Sequence, residues 1–135
     1  MDKKQLLFIE DEGYVIARVD EILANFPQFE VTRLDDAAKA RLLMKEKAFD
    51  VVITDIYLRG ASGLELSFTA RERNKDVCVI IITGLDNADM AAKAVTEGAF
   101  DFIIKPPGIE RLTNILKIIT LVRGLALPED GVNKL

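Results

Sequence analysis

Val51-Val52-Ile53-Thr54-Asp55 is an apolar run that stops on a single carboxylate and is followed by Ile56-Tyr57-Leu58-Arg59-Gly60. Such a run suits a strand buried on both faces, as strands of parallel sheets are. In an open parallel sheet, ligands gather in the crevice beyond the carboxyl ends of the strands, so an acid placed there faces a site and not a core. Asp55 is therefore the residue around which the remaining chain is read.

Upstream, residues 6–9 form a short apolar run that reads as a buried strand and leads into Glu10-Asp11-Glu12. Val15, Val19, Ile22, Leu23 and Phe26 then recur at helical spacing until Pro27 stops the pattern. Residues 29–34 read as a second strand, and Asp35 or Asp36 is placed to cap a helix that opens at Ala37-Ala38, carries Leu42 and Leu43 and ends near Lys47.

Downstream of Asp55, Ser62-Gly63-Leu64-Glu65 has the capping-box form and predicts a third helix to about Arg73. Residues 77–82 make the most hydrophobic strand, ending at Thr83-Gly84, and Asp86 or Asn87 is expected to cap an alanine-rich fourth helix that Gly98 closes in a left-handed cap. Residues 100–104 give a fifth strand ending at Lys105-Pro106-Pro107, and a last helix is expected from about residue 108 to 123. Five strands alternating with five helices call for a parallel sheet covered on both faces.

The 135 residues fit one domain, with residues 5–125 as its body and 126–135 as a tail or the start of a linker. A net charge of -4 disfavours direct nucleic-acid or anionic-membrane binding and suits a site that gathers cations. No apolar run is long enough to span a bilayer and the start shows no signal-peptide pattern, so a cytoplasmic location is expected. Cys78, the single cysteine, excludes an internal disulfide and is expected in the core. The absence of histidine removes Ser-His-Asp and Cys-His nucleophile activation and imidazole zinc sites.

The chemistry-bearing residues thus fall at four strand ends: Glu10 and Asp11, Asp55, Thr83, and Lys105. Crowded carboxylates repel unless a cation neutralises them, and an all-oxygen site with few protein ligands suits Mg2+. Lys105 supplies a positive charge and Thr83 a hydroxyl on the other side, so a phosphoryl group between Mg2+ and Lys105 would be balanced, with Asp55 as nucleophile for an acyl phosphate. Each residue alone has a plainer reading: a solvated helix start for the acids, a strand-end cap for Thr83, a solvated lysine for Lys105, core for Phe102. Their joint placement favours the site.

LLFIEDE, VVITD, IIITG and FDFIIKPP, in this order and spacing, resemble the receiver domain of two-component response regulators over essentially residues 5–125. The resemblance implies a flavodoxin-like, doubly wound five-stranded parallel sheet of order 2-1-3-4-5. It implies that Asp55 accepts a phosphoryl group from a partner histidine kinase, a phosphotransfer protein or a small phosphodonor. Asp11 and Asp55 would bind Mg2+ directly, Glu10 through water, and the Tyr57 backbone carbonyl would complete the protein ligands. Thr83 and Lys105 would contact the phosphoryl oxygens, Phe102 would be the aromatic switch residue, and the Lys105–Pro106 bond would be cis.

Three positions depart from the usual pattern: Glu10 where Asp is commoner, Pro107 where an aromatic is more usual, and Phe102 where Tyr is frequent. The expected mechanism draws Thr83 toward the phosphoryl group and lets Phe102 fill the vacated space, which changes a surface made by helix 4, strand 5 and helix 5. That face is also the expected contact for a homodimer or an output domain, and Ile118, Leu121 and Leu125 form a second apolar stripe on the last helix beside the core stripe. Bulky Tyr57 and Leu85 are expected to slow water attack on the phosphorylated residue.

A haloacid-dehalogenase-type phosphatase needs a second Asp two residues after the nucleophile, where this chain has Tyr57. A flavin binder needs a phosphate-cradling first loop, where this chain is acidic. The remaining alternative is a receiver-like interaction module that works without phosphorylation.

Overall fold

The computed structural model describes residues 3–58, 61–99, 101–105 and 108–122, without the side chain of Leu85. The expectations for the Lys105–Pro106 bond, Pro107, the start of the fifth strand at Phe100, the Leu85 side chain, Leu125 and the tail 126–135 lie outside the described residues.

Strands β1 (Lys4–Ile9), β2 (Phe29–Leu34), β3 (Val51–Asp55), β6 (Cys78–Thr83) and β7 (Asp101–Ile104) form one parallel sheet of order β2-β1-β3-β6-β7. With only the sheet strands counted, this is the 2-1-3-4-5 order. The labels β4 (Tyr57–Leu58) and β5 (Ala61–Ser62) belong to a small antiparallel hairpin just after Asp55. The five α-helices are α1 (Gly13–Leu23), α2 (Ala37–Glu46), α3 (Gly63–Arg73), α4 (Ala88–Thr96) and α5 (Arg111–Val122).

Side chains of a strand alternate between faces, and the alternation here sorts the core into two layers. Leu6, Phe8, Val51, Ile53, Ile80, Ile82 and Ile103 pack with Val15, Val19, Leu112 and Leu116 of α1 and α5. Leu7, Ile9, Val52, Val79 and Ile81 pack with Ala37, Ala40, Leu66, Ala91 and Ala94 of α2, α3 and α4. β3 and β6 are buried along their whole length, which is why both read as uninterrupted apolar runs. The same alternation, carried past the strand ends, puts Glu10, Asp55 and Lys105 on the α1/α5 side and Thr83 on the α4 side. Phe102 is half-buried against that second layer.

Local chemistry sets the helix starts. The Asp36 carboxylate accepts from the Lys39 N–H at 3.0 Å, and the Ser62 hydroxyl from the Glu65 N–H at 3.2 Å. Glu65 does not complete a reciprocal box; its carboxylate pairs with Arg41 of α2 at 3.3 Å. Gly63 is required by proximity, because a Cβ there would lie 2.2 Å from the Asp55 carbonyl oxygen. The first turn of α3 therefore rests on the strand end that carries Asp55. Gly98 adopts φ +118°, closing α4 in the expected left-handed cap, and Arg71 of α3 donates to the neighbouring Glu97 carbonyl at 2.6 Å.

Several boundaries differ from the sequence reading. α1 ends at Leu23, short of Pro27, because Asn25 and Phe26 continue only in turns bonded to Ile22 and Leu23. The fourth helix begins with a 3-10 turn, Leu85–Asn87, and Asn87 stands at the cap position without a side-chain capping bond. Val77 precedes the strand that was expected to include it, and the last helix opens as a 3-10 turn, Gly108–Glu110, before α5. Leu42 points outward at 65% exposure, the apolar face of α2 being Ala37, Ala40 and Met44. Cys78 is buried, as expected.

Candidate functional site

β1 and β3 are neighbours in the middle of the sheet, with Ile9 paired to Thr54, so the residues that follow them emerge side by side. Glu10 leaves β1 almost wholly buried at 1% exposure. Its Oε2 accepts from the backbone N–H groups of Asp11 and Glu12 at 3.2 and 3.1 Å, while its Oε1 is buried with no partner. Burial dominates over these bonds and pushes the Glu10 carboxyl up to about 7.

Asp55 ends β3 at 7% exposure. Its Oδ1 accepts from the Tyr57 N–H at 3.2 Å and its Oδ2 from the Lys105 ammonium at 2.5 Å. Lys105 follows β7, and its backbone N–H donates to the Thr83 carbonyl at 2.7 Å, which aims the side chain across the strand ends. The ammonium also reaches Glu12 Oε1 at 2.5 Å and Glu10 Oε2 at 3.4 Å. Burial would lower the Lys105 pKa, but the bonds to Asp55 and Glu12 outweigh it and raise it; the bond from Lys105 holds Glu12 below the usual carboxylate range. Outside this ring, the neighbouring Glu12 carboxylate raises the Tyr14 pKa.

This arrangement adds two features to the expected site. The carboxylates that converge are Glu10, Glu12 and Asp55, with one oxygen of each within 4.8 Å of the others, while Asp11 is exposed and outside that group. Glu12 was missed, yet extended backbone sends residues i and i+2 to the same side, and Glu12 is still extended at φ -86°, ψ 117°. Second, the Lys105 ammonium lies among the acids and pairs with all three of them.

Thr83 is fully buried and its hydroxyl donates to the Gly84 carbonyl at 3.2 Å, so it is turned away from Asp55. Tyr57 is 53% exposed in the hairpin. Phe102 pairs in register with Ile81, and Thr83 with Ile104, so Thr83 and Phe102 lie on neighbouring strands two register positions apart, on the same face.

The donor set fits a hard divalent cation. It is all oxygen, it carries more negative charge than one ammonium offsets, and the buried, unpartnered Glu10 Oε1 is an acceptor still lacking a donor or ion. Glu10, Glu12 and Asp55 are the carboxylates that lie close enough together to hold such an ion.

A family model described as the response regulator receiver domain matches residues 6–117. The response regulator protein PilR of Pseudomonas aeruginosa is 30% identical over 133 residues, covering 98% of this chain and 30% of PilR. A solved response regulator receiver domain protein from Clostridium thermocellum superposes with a TM-score of 0.77 at 25% identity, covering 90% of this chain and 97% of that one. The BeF3-activated DrrB receiver domain gives 0.73 at 26% identity, covering 87% and 97%. The chain spans less than half the length of the first curated relatives it matches. Among the described residues, no helix is long and apolar enough to cross a membrane.

Proposed function

The chain belongs to the response regulator receiver family of two-component systems, a family of regulatory domains, and on that premise we propose that it is a phosphorylation-dependent switch. Asp55 receives a phosphoryl group from the histidine of a partner kinase or phosphotransfer protein, or from a small phosphodonor, with Mg2+ and in the cytoplasm. The observation that carries this reading is the Asp55 carboxylate at the end of the central strand, 2.5 Å from an ammonium that is shared with two further acids.

In the transfer, an Asp55 carboxylate oxygen attacks phosphorus, an O–P bond forms, and the P–N bond to the donor histidine breaks with the electron pair leaving on the imidazole. Held by Glu10, Asp11, Asp55 and the Tyr57 carbonyl, Mg2+ would supply positive charge against the phosphoryl oxygens. Lys105 holds its proton throughout and directs N–H donors to the same oxygens. Glu10, fixed by two backbone N–H groups, keeps its carboxylate in the site without swinging.

Thr83 exchanges its bond to the Gly84 carbonyl for one to a phosphoryl oxygen, and its movement frees room that Phe102, on the same side of the sheet, then takes. α4 covers that side, and Arg111 of α5 is tied to β7 by bonds to the Phe102 carbonyl at 2.8 Å and Asp101 at 2.9 Å. The readout is a changed α4–β7–α5 surface, offered to an output domain or a second copy.

The test is incubation with acetyl phosphate and Mg2+ followed by intact mass. Wild type is expected to gain one phosphoryl group and Asp55→Ala none. No gain on wild type overturns the reading and leaves a receiver-like module that works by interaction alone.

A further inference from the structure

A lysine ammonium has three N–H donors, and among the described residues Lys105 spends all three on Asp55, Glu12 and Glu10. A phosphoryl oxygen on Asp55 can be bonded by Lys105 only if one of these acceptors lets go. Asp55 carries the group and stays in place. Glu10 is buried and clamped by the N–H groups of Asp11 and Glu12, so it has nowhere to move. Glu12 differs from both: its side chain is 42% exposed, so it alone of the three can swing out into solvent.

We infer that Glu12 is the exchangeable partner of Lys105, a carboxylate that occupies the ammonium until a phosphoryl oxygen on Asp55 displaces it. The inference rests on the phosphoryl-acceptor reading above. Glu12 is then a positioning residue that competes with the phosphoryl group, and its charge sets how readily the acceptor site is taken. No bond in this exchange is covalent; one charge-assisted hydrogen bond is traded for another.

The competition gives a signature that a merely structural role would not. Beryllium fluoride, a phosphoryl mimic, is titrated by calorimetry into the full chain at saturating Mg2+, with Mg2+ alone titrated separately. Glu12→Gln is expected to bind the mimic about five- to tenfold more tightly, the worth of a charge-assisted bond at a half-exposed position. Its affinity for Mg2+ alone is expected to be equal to or weaker than that of wild type, because a carboxylate has been removed.

In a Lys105→Met background, the gain from Glu12→Gln is expected to fall below about twofold, since the shared ammonium is gone. Glu12→Ala serves as the second variant, with thermal melts confirming that each protein is folded. Unchanged or weaker mimic binding by both Glu12 variants overturns the inference, as does a gain that persists undiminished with Lys105→Met. Wild type that fails to bind the mimic with Mg2+ would instead overturn the phosphoryl-acceptor reading itself, and the inference with it.

Discussion

Replacing Glu10 by Gln is expected to stabilise the metal-free protein, and the gain should grow with pH. The Glu10 carboxyl is moved by burial from its ordinary 4.5 to about 7. The folded state therefore binds a proton that the unfolded chain has already released over that interval. A raised folded value means that this group's contribution is fully present below 4.5 and is lost as pH rises through 7. At about 1.4 kcal/mol for each pH unit, the charged form costs roughly 3 kcal/mol of stability above pH 7.5, a load that Gln does not carry. Glu12, shifted the other way by Lys105, loses its contribution only as pH falls below 4.5, so the two effects occupy separate windows. The assay is urea unfolding followed by far-ultraviolet circular dichroism at pH 5 and pH 8 with a chelator present. At pH 5 the two proteins should have similar midpoints; at pH 8 the variant should lead by roughly 1 M urea or more, given typical slopes of about 1–3 kcal/mol per molar. Added Mg2+ should narrow the gap by stabilising wild type. A difference between the proteins that stays the same from pH 5 to pH 8 would refute the burial argument.

Gly63→Ala should destabilise the fold by about 1–3 kcal/mol, because the new methyl would stand 2.2 Å from the Asp55 carbonyl oxygen, a backbone atom that cannot swing aside; the same unfolding assay reads it, and phosphoryl uptake should slow as Asp55 is displaced. Thr83→Ala should still gain phosphoryl mass from acetyl phosphate, yet lack the change in amide exchange across α4, β7 and α5 that the proposed switch predicts for wild type with a phosphoryl mimic. Retention of that change without the hydroxyl would remove Thr83 from the switch.

The fold was legible because its central strands are buried on both faces, so β3 and β6 show as unbroken apolar runs whose last residues are polar. The strand end that carries Asp55 could be found from that pattern alone. What the sequence concealed was direction. Three acids in a row, Glu10-Asp11-Glu12, give no compositional hint of which carboxylates meet Asp55, and Glu12, which the structure brings to it, was not among those expected there. The hint was in the backbone: a strand's alternation persists until the first helical turn, so every second residue after Phe8 points the same way. Nor did the sequence reveal that Lys105 would lie among the acids instead of waiting beyond them, since that depends on the 2.7 Å bond tying its backbone to Thr83. This last feature joins the two halves of the proposed switch. Lys105 reaches the α1/α5 side of the sheet with its side chain and holds Thr83, on the α4 side, by its main chain, so in the proposed switch a shift in its ammonium partners would be felt by the strand end that carries Thr83.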